Sequence, residues 1–358
     1  METRFSHWAP RGRFLVLAVV WAGGCAEPRN SAVDARILGV DTITAARGLT
    51  LFKPVEVASD GHGGVFILDA GNSELYRVRA DGAVDTLATK GSGPRELLEP
   101  STFALQGDSS VIIVDSGNGR IQWLDLRSGA VTTLPFTLGA QSAVVDPAGH
   151  TLVAATYAQN FALQGSRPVL RSDSLVSIIS LRDGSLLTEF GTARPYEGTT
   201  IPLVGNYIRV ATHPATGDIW LAWPLEPVMM RYSANGTFIE EIERDLLFTP
   251  PPPSEYRTPR SPLPAADVQQ VTYDLKFDAT GNLLVLTAVA PKTTRLGSDE
   301  YRVPAQAVEV LNADMEVVCR VRLPFAATDF AIEKSGSLLF TDLIGSADVY
   351  RLRYECPD

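Results

Sequence analysis

Histidine and cysteine, two residue types that often take part in catalysis, are sparse in this chain, which has four histidines and three cysteines. A serine hydrolase needs a nucleophile, a base and an orienting acid, and the hydrolases with an α/β fold present the serine in a Gly-x-Ser-x-Gly turn. That motif does not occur in the 358 residues. After the N-terminal segment the histidines are His62, His150 and His213, each in a turn-like stretch. We expect them at the rim of the fold in three different repeats, so the sequence predicts no catalytic residue.

An Asp-x-x-Asn pattern occurs twice and has two interpretations. The stretches LDAGNSELYRVRADG and VDSGNGRIQWLDLRSG place Asp69 and Asn72 of the first copy in correspondence with Asp115 and Asn118 of the second. These side chains could bind a ligand, or they could accept and donate hydrogen bonds locally and fix a turn. Repetition in successive units favours the structural role, because a ligand rarely needs a contact from every repeat.

The repeat continues along the chain as short apolar runs separated by Gly, Asp and Asn turns. One unit reads as strands over 55–59, 65–69, 75–79 and 84–89. Four antiparallel strands per unit are typical of a β-propeller blade. Six such units follow one another, and the last has only three strands. The segment 35–43 reads as a further strand, so we predict an all-β, six-bladed β-propeller with four-stranded antiparallel blades, closed by this N-terminal strand.

The first two units resemble the NHL-type repeat. The pattern Gly-x-Val-x-x-Leu-Asp-x-x-Asn-x-x-Leu, its second copy VIIVDSGNGRI and the linker GSGPRELLEP carry this resemblance, which covers residues 54–126. It implies a six-bladed propeller of the kind found in bacterial lipoproteins. Propellers of this type differ widely in function, so the resemblance implies a fold more than an activity.

The N-terminal residues have the order of a secretory signal peptide. Three arginines precede an apolar run over 14–24, which is too short to span a bilayer, and Cys25 follows in WAGGC. This resembles the lipobox of bacterial lipoproteins, whose cysteine is lipidated. The sequence therefore predicts a signal peptide over 1–24, a lipidated tether over 25–34 and a propeller over 35–358. The protein would be exported and anchored in the bacterial cell envelope. Cleavage without lipidation, which gives a soluble secreted or periplasmic protein, is the alternative.

Two further cysteines lie in predicted peripheral strands of adjacent blades. Cys319 falls in the fourth strand of blade 5, and Cys356 follows the third strand of blade 6. An exported chain meets an oxidising compartment, in which two thiols can persist as a disulfide. A bond here would hold the C-terminus beside the closing strand. Two unpaired thiols that pack as small apolar groups are the alternative.

Function is expected on one face of the propeller, where the long connections emerge together. Insertions in a repeat protein often mark its binding face. The long connections are 91–100, 157–172, 191–205, 244–268 and 290–304. Aromatic and basic side chains in or beside them suit a recognition surface, namely Tyr157, Phe161, Arg167, Tyr196, Tyr207, Tyr256, Arg257 and Arg295.

The sequence therefore predicts a non-catalytic ligand-binding or scaffold module. The formal net charge of −10 argues against a nucleic-acid partner, which needs a basic face. We expect a monomer without a cofactor that recognises a protein, peptide or carbohydrate and touches a membrane only through its lipid anchor.

An enzyme with its site in the central channel is the alternative. Six-bladed lactonases of the gluconolactonase type hold a divalent cation there with Glu, Asn and Asp side chains. Resemblance to them implies Glu56, Asp274 and Asp329 as ligands, each on a predicted first strand, and oxygen ligands suit Ca²⁺ or another divalent cation. The match is incomplete, because Glu56 lies in PVEVAS and not in the Glu-Gly-Pro setting of those enzymes, and no channel asparagine is evident.

Overall fold

Six β-sheets of four principal strands each follow one another in the computed structural model of the chain. Within each sheet the four strands are antiparallel and lie in order from first to fourth. The structure describes residues 32–44, 48–135, 139–156, 174–196, 204–250, 269–291, 304–342 and 347–357, together with the backbone of 161–164, 167–170, 294–296 and 301–303. No helix in these ranges is long and apolar enough to cross a bilayer.

The strands of each blade are named here in order from the channel outwards. Blade 1 contains Pro54–Ser59, Val65–Asp69, Glu74–Val78 and Val84–Lys90. Blade 2 contains Thr102–Gln106, Ser110–Asp115, Arg120–Asp125 and Val131–Pro135. Blade 3 contains Ser142–Val145, Thr151–Ala155, Ser174–Ser180 and Leu186–Thr192.

The second half of the ring repeats this arrangement. Blade 4 contains Arg209–Thr212, Ile219–Ala222, Val228–Tyr232 and Phe238–Glu243. Blade 5 contains Thr272–Phe277, Leu283–Ala288, Gln306–Leu311 and Val317–Arg322. Blade 6 contains Asp329–Ile332, Leu338–Thr341, Val349–Glu355 and, as its fourth strand, Arg36–Thr42.

The blades form a closed ring, which confirms the predicted six-bladed β-propeller. The first strands of consecutive blades contact each other in order, and the first strand of blade 6 contacts that of blade 1. One apolar cluster fills each of the six junctions between blades. Because both faces of a second strand are covered by neighbouring blades, that strand reads as an apolar run without alternation. Val65–Asp69 and Leu283–Ala288, for example, are buried at every position.

Ring closure depends on the N-terminal segment, as predicted. Arg36–Thr42 pairs antiparallel with Val349–Glu355 and supplies the strand that blade 6 lacks. Just before it, Val33–Asp34 pairs in parallel with Val317–Arg322, the fourth strand of blade 5. Residues 33 and 34 were predicted to belong to the tether, so their contact with blade 5 was not anticipated.

Two of the long connections contain additional strands. Phe161–Gln164 pairs with Arg167–Leu170 in blade 3, and Thr294–Leu296 pairs with Tyr301–Val303 in blade 5. Each hairpin lies between a second and a third strand. A further short strand, Glu96–Leu97, runs parallel to the end of the fourth strand of blade 1. These segments were predicted to be loops, because strands of two to four residues show too little alternation to be recognised in the sequence.

A disulfide joins Cys319 to Cys356 across the junction of blades 5 and 6. Their Cα atoms are 5.8 Å apart, and 37 residues separate them in the sequence. The link therefore lies beside the place where Arg36–Thr42 closes the ring.

The first prediction concerns this link. Replacing both cysteines with alanine should lower the free energy of unfolding by about 3 to 4 kcal/mol, because the open unfolded chain gains the entropy of a loop of this size. Urea unfolding of the oxidised protein and of C319A/C356A measures the difference. In the presence of a reducing agent the two proteins should become nearly equal in stability. A difference that persists after reduction would show that packing of the Cys319 thiol, not the bond, is responsible.

Candidate functional site

A cavity of about 260 Å³ lies at the end of the central channel where the first strands begin. It receives residues from all six blades. The described residues that line it are Lys53, Val55, Ser101, Gln141, Tyr207, Arg209, Pro224, Gln270, Thr272, Tyr273 and Thr328. All of these except Val55 and Pro224 carry a side chain that can form hydrogen bonds. The cavity opens on the face where the linkers between blades reach the first strands, which is the face predicted to carry the function.

Two β-bulges turn side chains toward this cavity. In blade 1 the pairing of the first strand with the second passes from Pro54 to Glu56 and bypasses Val55. In blade 5 the same pairing passes from Thr272 to Asp274 and bypasses Tyr273. A bulge places one extra residue opposite the partner strand and redirects its side chain, and bulges are frequent beside functional sites. Both skipped residues line the cavity.

Arg209 holds three blades together at the cavity wall. From blade 4 its Nε donates to the carbonyl oxygen of Tyr273 on blade 5 at 2.8 Å, and its Nη1 donates to the carbonyl oxygen of Gln141 beside blade 3 at 2.8 Å. Its Cζ lies 5.3 Å from the ring centroid of Tyr207, within the range of a cation–π contact. These contacts fix the guanidinium without neutralising it, because carbonyl groups carry no net charge.

Lys53 is the second cation of the cavity and comes from blade 1, on the opposite side of the ring. Neither Lys53 nor Arg209 forms an ion pair with any carboxylate in the described part of the chain. Among the residues that the structure describes, the cavity lining contains no acidic side chain. The two cations therefore have no carboxylate counter-ion among the described lining residues, although the protein as a whole has 41 acidic and 31 basic residues.

Gln141 adds unused hydrogen-bonding capacity to the cavity wall. Gln141 is 6% exposed, and neither the nitrogen nor the oxygen of its side-chain amide has a hydrogen-bond partner among the described residues. Leaving such a group buried and unpaired costs about 1 to 3 kcal/mol, which is why nearly all buried polar groups in proteins are satisfied. The unpaired amide marks the wall as a place that water or a ligand would complete.

The first copy of the Asp-x-x-Asn pattern positions Lys53 beside the cavity. The buried Asp69 carboxylate accepts from the backbone N–H groups of Phe52 and Lys53 at 2.7 and 2.8 Å, from those of Gly71 and Asn72, and from the Asn72 side chain at 2.9 Å. It thereby ties the turn of blade 1 to the linker that carries Lys53. The structural interpretation of the pattern is the one that these contacts support.

The second copy works in the same way in blade 2. Asp115 accepts from the backbone N–H of Leu98 at 2.7 Å, and from the side chains of Asn118 and Arg120 at 2.8 Å each. The glycine of the pattern lets the linker pass closely, because a Cβ on Gly117 would lie 2.5 Å from the carbonyl oxygen of Leu98. The motif is thus a clamp on the incoming linker.

The three carboxylates that the lactonase resemblance implied lie close together, around a lysine that the sequence analysis did not single out. Lys276 Nζ is 3.1 Å from an oxygen of Asp274 and 3.6 Å from an oxygen of Asp329. Glu56 interacts electrostatically with the same groups. Each carboxylate also accepts a backbone N–H from the next blade. The backbone N–H of Phe330 donates to Asp274 at 3.4 Å, that of Val57 to Asp329 at 2.9 Å and that of Phe103 to Glu56 at 2.7 Å.

Burial raises the pKa values of two of these acids. It raises the pKa of Glu56 to about 7, although Lys276 and the hydrogen bonds from Thr102 and Phe103 act in the opposite direction. Burial likewise raises the pKa of Asp329 well above its usual range. Burial opposes the charged form of Lys276, but the negative charges of Asp274, Asp329 and Glu56 outweigh it and raise the pKa of Lys276.

This cluster does not fit a divalent cation. The Lys276 ammonium already occupies the space between Asp274 and Asp329, and each carboxylate has an oxygen engaged by a backbone N–H of the next blade. The described residues contain no group of three or more acidic, histidine or cysteine side chains arranged to hold a metal ion. The three carboxylates serve instead as hydrogen-bond acceptors between blades.

Most of the predicted loop residues lie outside what the structure describes. This holds for Tyr157, Tyr256 and Arg257, for the side chains of Phe161, Arg167 and Arg295, and for Cys25. Tyr207 lines the cavity.

Tyr196 does not line the cavity. Its hydroxyl donates to Glu226 at 2.6 Å, and its ring packs against Leu225 and Val204, so it supports a linker.

The three histidines belong to different blades, as expected. His62, His150 and His213 each lie in a turn between a first and a second strand, in blades 1, 3 and 4. His213 Nδ1 accepts backbone N–H groups of its own turn, from Ala215 at 3.2 Å and from Thr216 at 3.3 Å.

The two cations and the amide of the cavity were not predicted from the sequence. Lys53, Arg209 and Gln141 occupy similar places in three blades, at or just before the first strand, but their surrounding sequences show no common motif. They become a set only where the first strands converge.

Comparison with known proteins shows the fold. No protein-family model matches the chain, and no curated protein matches it. A member of the DUF4221 family from Bacteroides vulgatus superposes with a TM-score of 0.60 at 8% identity, over 91% of this chain and 98% of that one. A gluconolactonase from Xanthomonas campestris superposes with a TM-score of 0.56 at 12% identity, over 91% of this chain and 96% of that one. A virginiamycin B lyase from Staphylococcus aureus superposes with a TM-score of 0.52 at 11% identity, over 89% of this chain and 99% of that one. At these identities the likeness establishes the propeller fold and nothing about activity.

A second prediction follows from the clamp formed by Asp69. Asp69→Ala should lower the free energy of unfolding by about 3 kcal/mol, because five N–H donors lose their acceptor in a buried turn. Asp81→Ala is the matched control, since Asp81 lies in an exposed turn of the same blade and accepts from Ala83 alone among the backbone groups. That control should change stability by less than about 0.5 kcal/mol. Equal effects of the two substitutions in urea unfolding would contradict the clamp.

A third prediction concerns pH. A carboxyl whose folded pKa is raised binds its proton more tightly in the folded state, so its contribution to stability is complete below the unfolded pKa and is lost as pH rises through the folded pKa. For Glu56 the window runs from about pH 4.5 to about pH 7. Wild-type stability should therefore fall relative to Glu56→Gln across this window, by an amount of the order of 3 kcal/mol. Glutamine keeps an acceptor oxygen for Phe103 but does not ionise.

Urea midpoints of both proteins at pH 4.5, 6 and 8 would measure this difference. Depressed pKa values at Asp60 and Asp278 act only at lower pH, because their stabilising effect is lost below the ordinary carboxyl range. A constant difference between the two proteins over the window would disprove the assignment.

Proposed function

We propose that this protein is an exported, non-catalytic binding module that takes a small ligand in the cavity at the mouth of its channel. The observation that carries the proposal is the cavity itself, in which residues of all six blades meet. In the described chain its two cations have no carboxylate partner, and its buried amide has no hydrogen-bond partner. Concave sites with a few convergent polar groups are the usual places where proteins bind small molecules.

The cavity limits the size of the ligand. A volume of about 260 Å³ is slightly below the range of pockets that hold drug-sized molecules. The two bulged residues and the bound guanidinium give a wall held by several blades, so little ordering would be required on binding. These features support recognition of a metabolite-sized molecule better than the docking of a folded partner inside the cavity.

The lactonase alternative has less support in the geometry. The fold is shared with a gluconolactonase, but the likeness at 12% identity concerns the fold alone. The carboxylates that would hold its cation are bonded to the next blade and to Lys276. A metal-dependent hydrolase would need that network to rearrange.

The cellular setting of the proposal comes from the sequence. The resemblance of residues 54–126 to NHL-type repeats and the WAGGC stretch support a lipid-anchored envelope protein. Cys25 and the residues before it lie outside the described residues, so the anchor stays a prediction. Binding at the channel mouth does not depend on it.

A fourth prediction tests binding at the mouth. Crystals soaked with a set of small fragments that includes acids, amines and uncharged amides should show fragments in the cavity. Val55→Trp should abolish this occupancy, because the indole would fill the space beside the bulge. Val318→Trp is the control, since Val318 lies exposed on a fourth strand of blade 5.

Two results would count against the proposal. If no fragment is found at the mouth of the wild-type protein, binding there is contradicted. It is also contradicted if fragments still enter the mouth of a folded Val55→Trp variant. Elemental analysis of the purified protein addresses the alternative: one tightly held divalent cation per chain, lost in Asp329→Asn, would favour the hydrolase.

A further inference from the structure

The charges of the cavity identify the class of ligand, and this inference rests on the proposed function. Arginines elsewhere in the described chain that are partly or fully buried are paired with carboxylates, as in Arg77 with Asp60 at 2.8 Å and Arg231 with Asp218 at 2.6 Å. Arg209 is a contrasting case, because its described partners are two carbonyl oxygens and an aromatic ring. A partly buried cation without a counter-ion is costly unless an anion arrives to pair with it.

The geometry of Arg209 leaves part of its guanidinium for such an anion. Nε and Nη1 are engaged by Tyr273 and Gln141, whereas Nη2 has no hydrogen-bond partner among the described residues. A guanidinium has five N–H donors in a rigid plane, so two bound carbonyls orient the remaining donors. The group is pre-organised at the wall, and an incoming oxygen would meet a fixed donor.

Lys53 contributes charge from the opposite side of the ring. Its backbone N–H is held by Asp69 at 2.8 Å, which fixes the start of its side chain beside the cavity. The ammonium has no described partner and lies on an exposed residue. An anion in the cavity would therefore lie between a fixed guanidinium and a flexible ammonium, and no carboxylate among the described lining residues would repel it.

We propose that the cavity binds a small organic oxyanion, with the charged oxygens placed between Arg209 and Lys53. A carboxylate or a phosphate would supply the same chemistry, since both accept charge-assisted hydrogen bonds from Arg and Lys. The size of the cavity limits the ligand to a metabolite of a few carbon atoms.

Titration calorimetry at low ionic strength with malate and with glycerol phosphate tests this assignment. Malamide and glycerol, the uncharged counterparts, are the matched ligands. At least one of the two anions should bind at millimolar concentration or below, while its counterpart should not. Added salt should weaken the binding, as expected for exposed charges. Whichever of the two anions binds more tightly shows whether the site prefers a carboxylate or a phosphate.

Variants of Lys53 locate the effect without disturbing the blade junctions. Lys53→Gln should weaken the binding of that anion about tenfold, and Lys53→Glu should weaken it further, because a hydrogen bond to a charged group is lost and then replaced by repulsion. Lys334→Gln is the control, since Lys334 is an exposed lysine in a turn between the first and second strands of blade 6, at the opposite face.

Several outcomes would overturn the assignment. These are binding of malamide or glycerol as tight as that of the anions, an unchanged affinity in Lys53→Glu, or failure of both anions to bind. If fragments still occupy the cavity in any of these cases, binding at the mouth survives and only the anionic class is wrong. If no fragment of any charge enters the cavity, both proposals fail together.

Discussion

Closure of the ring is the constraint on which the rest of the structure depends. The cavity exists only where six first strands converge, and they converge only if blade 6 is completed by Arg36–Thr42. Two further contacts support this junction, namely the disulfide of Cys319 with Cys356 and the parallel pairing of Val33–Asp34 with blade 5. The ion pairs beside them are exposed, as between Arg36 and Glu355, and such pairs contribute little. Closure therefore rests on the strand pairing, the covalent link and the apolar junctions more than on these ion pairs.

Closure in turn creates a problem at the centre that polar side chains solve. Each first strand is the inner edge of its sheet, so it presents N–H groups that no further strand can pair. Asp274, Asp329 and Glu56 each accept one such N–H from the next blade, and Ser142 stands in a similar position toward Val210 at 3.3 Å. The side chains that looked like metal ligands are thus explained as substitutes for a missing neighbouring strand.

The parts of the fold that could be predicted are those encoded locally. The second strands and the Asp-Gly turns repeat in sequence, and an unassigned N-terminal strand together with an incomplete last blade pointed to the closure. The cavity could not be predicted, because Lys53, Gln141 and Arg209 come from separate blades and none belongs to a repeated motif. Lys276 was missed for the same reason, since its role appears only when Asp329 of the next blade lies 3.6 Å away.

The channel consequently has two layers of charged side chains, a basic layer at the mouth and a mainly acidic layer further along the first strands. At the mouth, Lys53 and Arg209 have no carboxylate partner in the part of the chain that the structure describes. Further along the first strands, three carboxyl groups surround Lys276, and burial disfavours the charged forms of Glu56 and Asp329 and raises their pKa values. The Lys276 ammonium lies among these carboxyl groups, and its charge offsets part of the repulsion that an anion at the mouth would meet. The acidic layer can therefore stabilise the blade junctions without cancelling the positive charge at the mouth.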